Sequence, residues 1–263
     1  MDLRAWDYAQ FKSAFFLKTG LDLDRYKDRQ MERRIRQLME RRNKPDFRHF
    51  YEYLVKNPPE MQFFLSYLTI NTSEFFRDQV VFATLKKEIF PELLKKYGNG
   101  LKIWSAGCSI GAEPYTLAII LDTLKALYRA QIIGTDIDKK ALQEAKKGIY
   151  SGKYLDKMPQ DLIQRYFFKE GEVYRIKPEI QSSIIFKHHN LLRDSPLYGC
   201  HLILCRNVFI YFKPETQDFF LQRFAAALKA GGYLVIGSAE YISNPQKYML
   251  KKRFNTIYQK IIE

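Results

Sequence analysis

The sequence predicts an α/β protein. An open parallel sheet with right-handed crossovers is preceded by an all-helical segment and interrupted by a small β insert. Three observations carry this. Apolar residues recur at helical spacing through roughly the first 75 residues. From Leu101 onward, short apolar runs ending in Gly, Asp or Asn alternate with helix-period segments. Residues 150–183 then suspend that alternation before it resumes.

The elements follow in order. Trp6, Phe11, Phe15 and Phe16 mark a first helix that Gly20 ends. Met31, Ile35, Leu38 and Met39 form one stripe on a second helix, Lys27 to Arg42, with Arg29, Arg33 and Arg36 opposite it. Between Arg25 and Arg48 there are ten basic and four acidic residues. An aromatic helix (Phe47, Phe50, Tyr51, Leu54) closes at Asn57-Pro58-Pro59, and a further helix covers Met61 to Ile70. Asn71-Thr72-Ser73-Glu74 carries helix-starting side chains, and a helix with Val81, Leu85 and Ile89 follows.

Strands are expected at Leu101–Ala106 and Gln131–Thr135, each with a helix behind it. The insert is expected to hold a helix from Gln160 to Phe168 and a hairpin made of Val173–Ile176 and the chain from Ser182 onward. Strands resume at Ile184–Phe186 and His201–Cys205. A helix from Glu215 to Lys229 follows, Gly231-Gly232 turns into strand Tyr233–Ile236, and an antiparallel hairpin with Asn255 at its turn ends the chain.

Composition bounds the function. The chain has 263 residues, 46% hydrophobic and 27% charged, which is globular and excludes a mostly disordered chain. A net charge of +14 calls for an anionic partner without choosing among nucleic acid, membrane surface and acidic protein. Three cysteines with no CxxC pair exclude a disulfide scaffold and a four-thiolate zinc site, and the adjacent His188 and His189 cannot share one helix face as metal ligands, so no metal is expected. No apolar run reaches the roughly 20 residues of a membrane span, and the acidic N-terminus is not a signal peptide. A cytoplasmic protein is therefore expected.

Ligands of open parallel sheets bind at the carboxyl ends of the strands. Four such ends carry candidates. Gly107 and Gly111 flank a strand-to-helix turn that could bring backbone N–H groups close to a ligand, or could be a tight turn only; it matches neither G-x-G-x-x-G nor a P-loop. Asp136 stands where a carboxylate can accept both hydroxyls of a ribose, with helix capping as the alternative, a task that suits Asp138 better. Asn190 could pair with an adenine edge or close a turn. Arg206, set among apolar residues, needs an anion or carbonyls nearby. Glu113 either complements its helix dipole or points back into the cleft toward a ligand ammonium. No nucleophile motif is present, so a nucleotide-like cofactor bringing its own reactive centre is expected.

Taken together, Asn71-Thr72-Ser73-Glu74-Phe75-Phe76-Arg77, Trp104–Ser109, Gly111-Ala112-Glu113-Pro114-Tyr115, Thr135-Asp136-Ile137-Asp138, Asn190-Leu191-Leu192 and Cys205–Phe212 resemble the CheR-type chemotaxis receptor glutamate O-methyltransferases. The resemblance spans nearly the whole chain in the family's order. It implies a class I, Rossmann-like, S-adenosylmethionine-dependent methyltransferase domain at 90–263 containing a β-subdomain at 150–183. A helical domain at 1–75 and a linker helix at 76–89 precede it. It further implies methylation of glutamate side chains on the cytoplasmic helical domain of methyl-accepting chemotaxis receptors, with S-adenosylhomocysteine as the other product.

Carried onto this sequence, the resemblance makes Asn71, Ser73 and Arg77 cofactor-side residues, and has Glu113 and Asp136 hold the amino-acid and ribose portions. Asn190 and Leu191 border the adenine, and Arg206 and Asn207 line the cleft near the methionine end. Ser73 stands where many relatives have Thr and keeps the hydroxyl. Lys169–Val173 is shorter than the hairpin loop of relatives that bind a receptor-tail pentapeptide, so tail docking is not expected.

A glutamate with a pKa of about 4.3 is already ionised at pH 7, so the reaction asks for alignment and exclusion of water rather than for a base. Arg77 and Tyr211 are the candidates for holding the acceptor carboxylate, by charge and by hydroxyl. Arg29, Arg33 and Arg36 are candidates for meeting the acid-rich receptor bundle, with a solvated helix face as the alternative. A monomer that binds no nucleic acid is expected. The rival readings are a nucleic-acid methyltransferase, which lacks its Asn-Pro-Pro-Tyr-type signature here, and a non-catalytic module that binds cofactor or receptor only.

Overall fold

In a computed structural model that describes residues 6–69 and 73–262, the chain forms two compact units. The first comprises residues 1–70 together with Tyr211–Asp218, and the second comprises 71–210 and 219–263.

The first unit is helical: α1 (Tyr8–Thr19), α2 (Asp28–Arg41), α3 (Phe47–Lys56) and α4 (Pro58–Leu68). Asp7 and Gln10 close a capping box on α1, and Gly20 ends it at φ +74°. α4 starts at Pro58, three residues before the expected Met61. A proline that cannot extend α3 is comfortable in the first turn of the next helix. The core is aromatic: Phe11, Phe15, Phe50 and Phe64 are fully buried, and Phe50 meets Phe64 edge to face at 5.2 Å. The segment Tyr211–Asp218 joins this unit through main-chain bonds, Lys27 N–H to the Tyr211 carbonyl and Lys213 N–H to the Arg25 carbonyl, both 2.9 Å. Tyr26 and Phe212 face each other at 4.4 Å, and Lys213 pairs with Asp28 at 2.7 Å.

The second unit opens with α5 (Gln79–Thr84) and α6 (Phe90–Tyr97), joined by a π turn over Leu85–Ile89. Pro91 has no N–H to give the carbonyl one turn back, and the ladder widens there, Phe90 N–H reaching Leu85. The helix expected directly after Ser73-Glu74 thus begins only at Gln79. Asp78 ahead of it has φ +62° and makes no capping bond, because its carboxylate is committed elsewhere.

Next come β1 (Leu101–Ala106), α7 (Ala112–Thr123), β2 (Ala130–Asp136) and α8 (Lys139–Lys147). The insert holds β3 (Ile149–Ser151), α9 (Gln160–Tyr166), β4 (Phe167–Glu170), β5 (Val173–Ile176) and α10 (Pro178–Gln181). The remainder is β6 (Ile184–His188), β7 (Cys200–Cys205), α11 (Pro214–Ala227), β8 (Leu228–Ile236), β9 (Leu250–Phe254) and β10 (Ile257–Lys260).

The main sheet runs β6-β2-β1-β7-β8-β10-β9, with β10 antiparallel to β8 and the strands from β6 to β8 parallel. Crossovers by α7, α8 and α11 place the exits of β1, β2, β6, β7 and β8 along one edge, the position where such sheets bind ligands. Leu117 to Leu121 of α7 are buried without a polar face, as a crossover helix covering a parallel sheet requires.

The insert forms a three-stranded antiparallel sheet, β3-β5-β4. Its hairpin differs from the expected one. β5 pairs with Phe167–Glu170 and not with the chain after Ser182, and α9 stops at Tyr166. Gly171 at φ +60° supplies the turn, and Arg175 clasps Glu170 across it at 2.7 and 3.0 Å. At the other end, β8 already begins at Leu228, so Gly231-Gly232 lie inside the strand. There a Cβ on Gly232 would meet two carbonyl oxygens at 2.9 and 3.0 Å.

Candidate functional site

The exit of β1 winds through a turn with Gly107 at φ +79°, Ser109 at +49° and Gly111 at +85°. The sequence leaves two uses of this turn open, N–H groups offered to a ligand or a tight turn only. The structure uses those groups internally. Gly107 and Cys108 donate to the Thr135 carbonyl at 2.8 and 2.9 Å, Gly111 to the Cys108 carbonyl at 3.0 Å, and Ser109 to Asp136 Oδ2 at 2.7 Å. The glycines serve close packing instead. A Cβ on Gly107 would lie 2.8 Å from Val208 Cγ2, and one on Gly111 2.9 Å from Ala145 Cβ.

Asp136 ends β2 and is 7% exposed. Its Oδ1 accepts from Asp138 N–H at 2.9 Å, so each oxygen already holds one backbone bond and keeps one lone pair. Burial holds its carboxyl above the ordinary range, and the backbone N–H bonds work against that shift. Capping of α8 falls to Asp138, which accepts from Lys140 and Ala141 N–H.

Arg206, just beyond β7, gathers the rest. Its side chain is 3% exposed. Nη2 donates to Asp78 Oδ2 at 2.6 Å and to the Arg77 carbonyl at 2.9 Å, and Nη1 to Glu113 Oε2 at 3.1 Å. The guanidinium lies 5.1 Å from the Phe82 ring centre. Glu113 therefore does turn back toward the strand exits, where Ser105 Oγ also donates to it at 2.7 Å. Arg77 sits half-buried between Phe76 (φ +53°) and Asp78, a strap with two non-glycine residues in the left-handed region. It is tied at one end by Phe76 N–H to Thr116 Oγ1 and at the other by Arg206.

The other candidates are placed as follows. Asn207 follows Arg206 at φ +59°. Asn190 closes a turn, its Oδ1 accepting Leu192 N–H at 2.9 Å, while its own N–H donates to Asp194; Leu191 and Ser73 are half-buried. Tyr211 belongs to the first unit. In that unit Arg29, Arg33 and Arg36 are exposed along α2, with Arg36 paired to Glu32 at 2.7 Å and its guanidinium over the Phe47 ring. Asn71 lies outside the described residues. Asp78 and Glu240 were not legible as site residues. Asp78 falls inside the expected linker helix at 76–89, and Glu240 lies just past the exit of β8, a strand end with no candidate in the sequence.

Burial pushes the Cys108 and Cys205 thiols well above their ordinary value, so both stay protonated and neither serves as a nucleophile. Among the described residues, no group of three or more His, Cys, Asp and Glu is arranged to hold a metal, and no helix is long and apolar enough to cross a membrane. Among the described residues, Ser109 Oγ and Arg206 Nε of the cluster are buried without a partner. Unpartnered polar atoms beside a buried carboxylate at the strand exits fit a polar, ribose-bearing cofactor.

Comparison with known proteins gives matches over nearly the whole chain. The CheR methyltransferase all-alpha domain matches residues 6–69, and the CheR methyltransferase SAM-binding domain matches residues 71–258. A chemotaxis protein methyltransferase of Listeria innocua is 37% identical over 97% of this chain and 97% of its own. Its counterpart in Listeria monocytogenes is 36% identical over the same shares. Chemotaxis protein methyltransferase 1 of Pseudomonas aeruginosa is 37% identical over 70% of this chain and 71% of its own. The helical N-terminal unit, the largely parallel sheet of a class I methyltransferase and the small β insert are the parts this resemblance implied. The chain belongs to the CheR methyltransferase family and carries its S-adenosylmethionine-binding domain.

Proposed function

We propose that this enzyme methylates glutamate side chains on the cytoplasmic helical domain of chemotaxis receptors, forming γ-glutamyl methyl esters, and that it works in the cytoplasm as a monomer. One observation carries the reading. The potential nucleophiles gathered at the strand exits are withdrawn from reaction: the thiols are held protonated, Glu113 is bound by Arg206 and Ser105, and Asp136 is tied by two backbone N–H groups. A methyl acceptor on another molecule that arrives already ionised, as a glutamate does, suits such a site.

The cofactor supplies a methyl group on a positively charged sulfur. Asp136 accepts the ribose hydroxyls with its remaining lone pairs. Glu113 faces the ammonium, sharing its charge with Arg206. Leu191 gives the adenine an apolar neighbour, and Asn190, whose oxygen is occupied by Leu192, meets the ring edge with its NH2 group. Ser73, Asn71 and Asn207 complete the cofactor side, and Gly107 lets the β1 turn pack against Val208 beside them. Arg77 holds the acceptor carboxylate in line. Alignment of this kind is the main contribution a protein can make when neither reactant needs a proton moved. Arg29, Arg33 and Arg36 steer the acid-rich receptor surface by charge.

The test is incubation with methyl-labelled S-adenosylmethionine and receptor-containing membranes. Label should appear on the receptor and leave as methanol in mild alkali. Label that survives alkali, or that resides on nucleic acid, overturns the reading.

A further inference from the structure

β8 ends at Ile236, and the chain turns through Gly237–Glu240, closed by Glu240 N–H on the Gly237 carbonyl at 3.0 Å. Glu240 is 9% exposed and directs its carboxylate back onto the loop that leaves β7. Oε2 accepts from Gly237 N–H at 2.6 Å and Asn207 N–H at 3.1 Å; Oε1 accepts from Phe209 N–H at 2.8 Å and Ile210 N–H at 3.4 Å. A carboxylate has about four lone-pair sites, and here four N–H groups from two strand exits fill them. Among the described residues no cation pairs with it. Its charge is held by main-chain donors, which oppose without cancelling the burial that raises its pKa.

The approach is close enough to demand glycine. A Cβ on Gly237 would sit 2.7 Å from Asn207 N and 2.9 Å from Glu240 Oε2. Within the loop so held, Asn207 has φ +59°, the left-handed region that asparagine tolerates better than other side chains. Immediately before it stands Arg206, which grips Glu113 and the Arg77–Asp78 strap. An unbroken path of bonds therefore runs from one carboxylate beyond β8, through the β7 exit, to the segment bearing Arg77.

We propose that Glu240 is a positioning residue for methyl transfer: it clamps the backbone of residues 207–210 so that Arg206 and Asn207 stand preset before cofactor arrives. This rests on the reading of Arg206 and Asn207 as site residues. A merely structural anchor would lower melting temperature and leave affinity and turnover per folded molecule intact; a positioning anchor changes the latter two.

The test uses the full chain with Glu240→Gln, which replaces one acceptor oxygen by a donor facing N–H groups, and Glu240→Asp, which keeps the charge but is one methylene shorter. Three quantities are measured: S-adenosylhomocysteine affinity by calorimetry, kcat and KM for S-adenosylmethionine, and the amide resonances of Asn207 and Phe209. Glu240→Gln should shift both amides, weaken S-adenosylhomocysteine at least tenfold and lower kcat. Glu240→Asp should recover part of each loss, and it is read alone if the Gln variant fails to fold. Amides that move while affinity and turnover stay within twofold of the parent overturn the proposal, as do amides that do not move. Arg206→Met measured alongside separates the causes. If it too leaves affinity unchanged, the site reading has failed; if it alone weakens binding, the failure lies in the link from Glu240.

Discussion

Replacing Arg206 by Met removes a guanidinium that bonds Asp78 at 2.6 Å, the Arg77 carbonyl at 2.9 Å and Glu113 at 3.1 Å. Breaking a buried pair from one side costs about 3–5 kcal/mol, because the remaining charge is left uncompensated. The Asp78 side chain is 30% exposed and that of Glu113 16%, so water reaches both and the lower end of the range, about 3 kcal/mol, applies. Against this, the strap is released. Phe76 is held in the left-handed region at roughly 1–2 kcal/mol, while Asp78 tolerates it better, and partial relaxation returns about 1 kcal/mol. The net loss is about 2 kcal/mol, a fall in melting temperature of about 4–8 °C for a chain of this size. S-adenosylhomocysteine affinity should drop at least tenfold in the folded variant, because Glu113 and the strap lose their common anchor. Thermal unfolding followed by circular dichroism and titration calorimetry measure the two effects. A variant that melts within about 1 °C of the parent and binds with parental affinity refutes the reasoning.

Asp136→Ala should remove two charge-assisted bonds to ribose, about 1.5–3 kcal/mol each at most, and calorimetry should show binding lost while the protein remains folded. Burial holds the folded pKa of Asp136 above the 3.8 expected of the unfolded chain, so its contribution to stability is fully present below 3.8 and is lost as pH rises through the folded value. Asp136→Asn should accordingly flatten melting temperature against pH just above 3.8, and an unchanged profile counts against the assignment. Gly107→Ala places a methyl 2.8 Å from Val208 at φ +79° and should cost about 1–2 kcal/mol from the backbone conformation alone, read as a lower urea midpoint with weakened cofactor binding. Arg33→Glu combined with Arg36→Glu should slow receptor methylation and reduce its salt dependence, with cofactor affinity unaltered. The lost Arg36–Glu32 pair, exposed and four residues apart, accounts for only about 0.3–0.5 kcal/mol of any stability change.

Some of this was open to a reader of the sequence because the relevant physics is local. Apolar period separates strand from helix, and a strand exit is visible as an apolar run stopping at Asp136 or Arg206. Glu113 could be suspected because a first-turn acid next to a glycine turn has only two places to point. The parts that escaped depend on partners far along the chain. Asp78 fell inside the expected linker helix at 76–89, yet its carboxylate is claimed by Arg206, 128 positions away. Glu240 acts on amides 30 to 33 positions earlier, which no periodicity records. The insert hairpin was misread because four-residue strands joined by a two-residue turn are too short to show their alternation. In the glycine turn, sequence displayed the permissive residues but not Val208 and Ala145, the neighbours that require them.

The return of Tyr211–Asp218 to the helical unit has a consequence for biosynthesis. Helices α1 to α4 leave the ribosome early, but the stretch that pairs with Tyr26, Lys27 and Asp28 is encoded roughly 140 residues downstream. At about 5–20 residues per second, its arrival lags by about 7–30 s. Throughout that interval the face around Tyr26 has no Phe212 ring to cover it and Asp28 lacks Lys213. The nascent helical unit therefore waits, incomplete, while most of the sheet is being made. A gene fragment stopping near residue 70 would freeze the protein in that waiting state, and supplying residues 211–218 as a separate peptide would be the means of completing it.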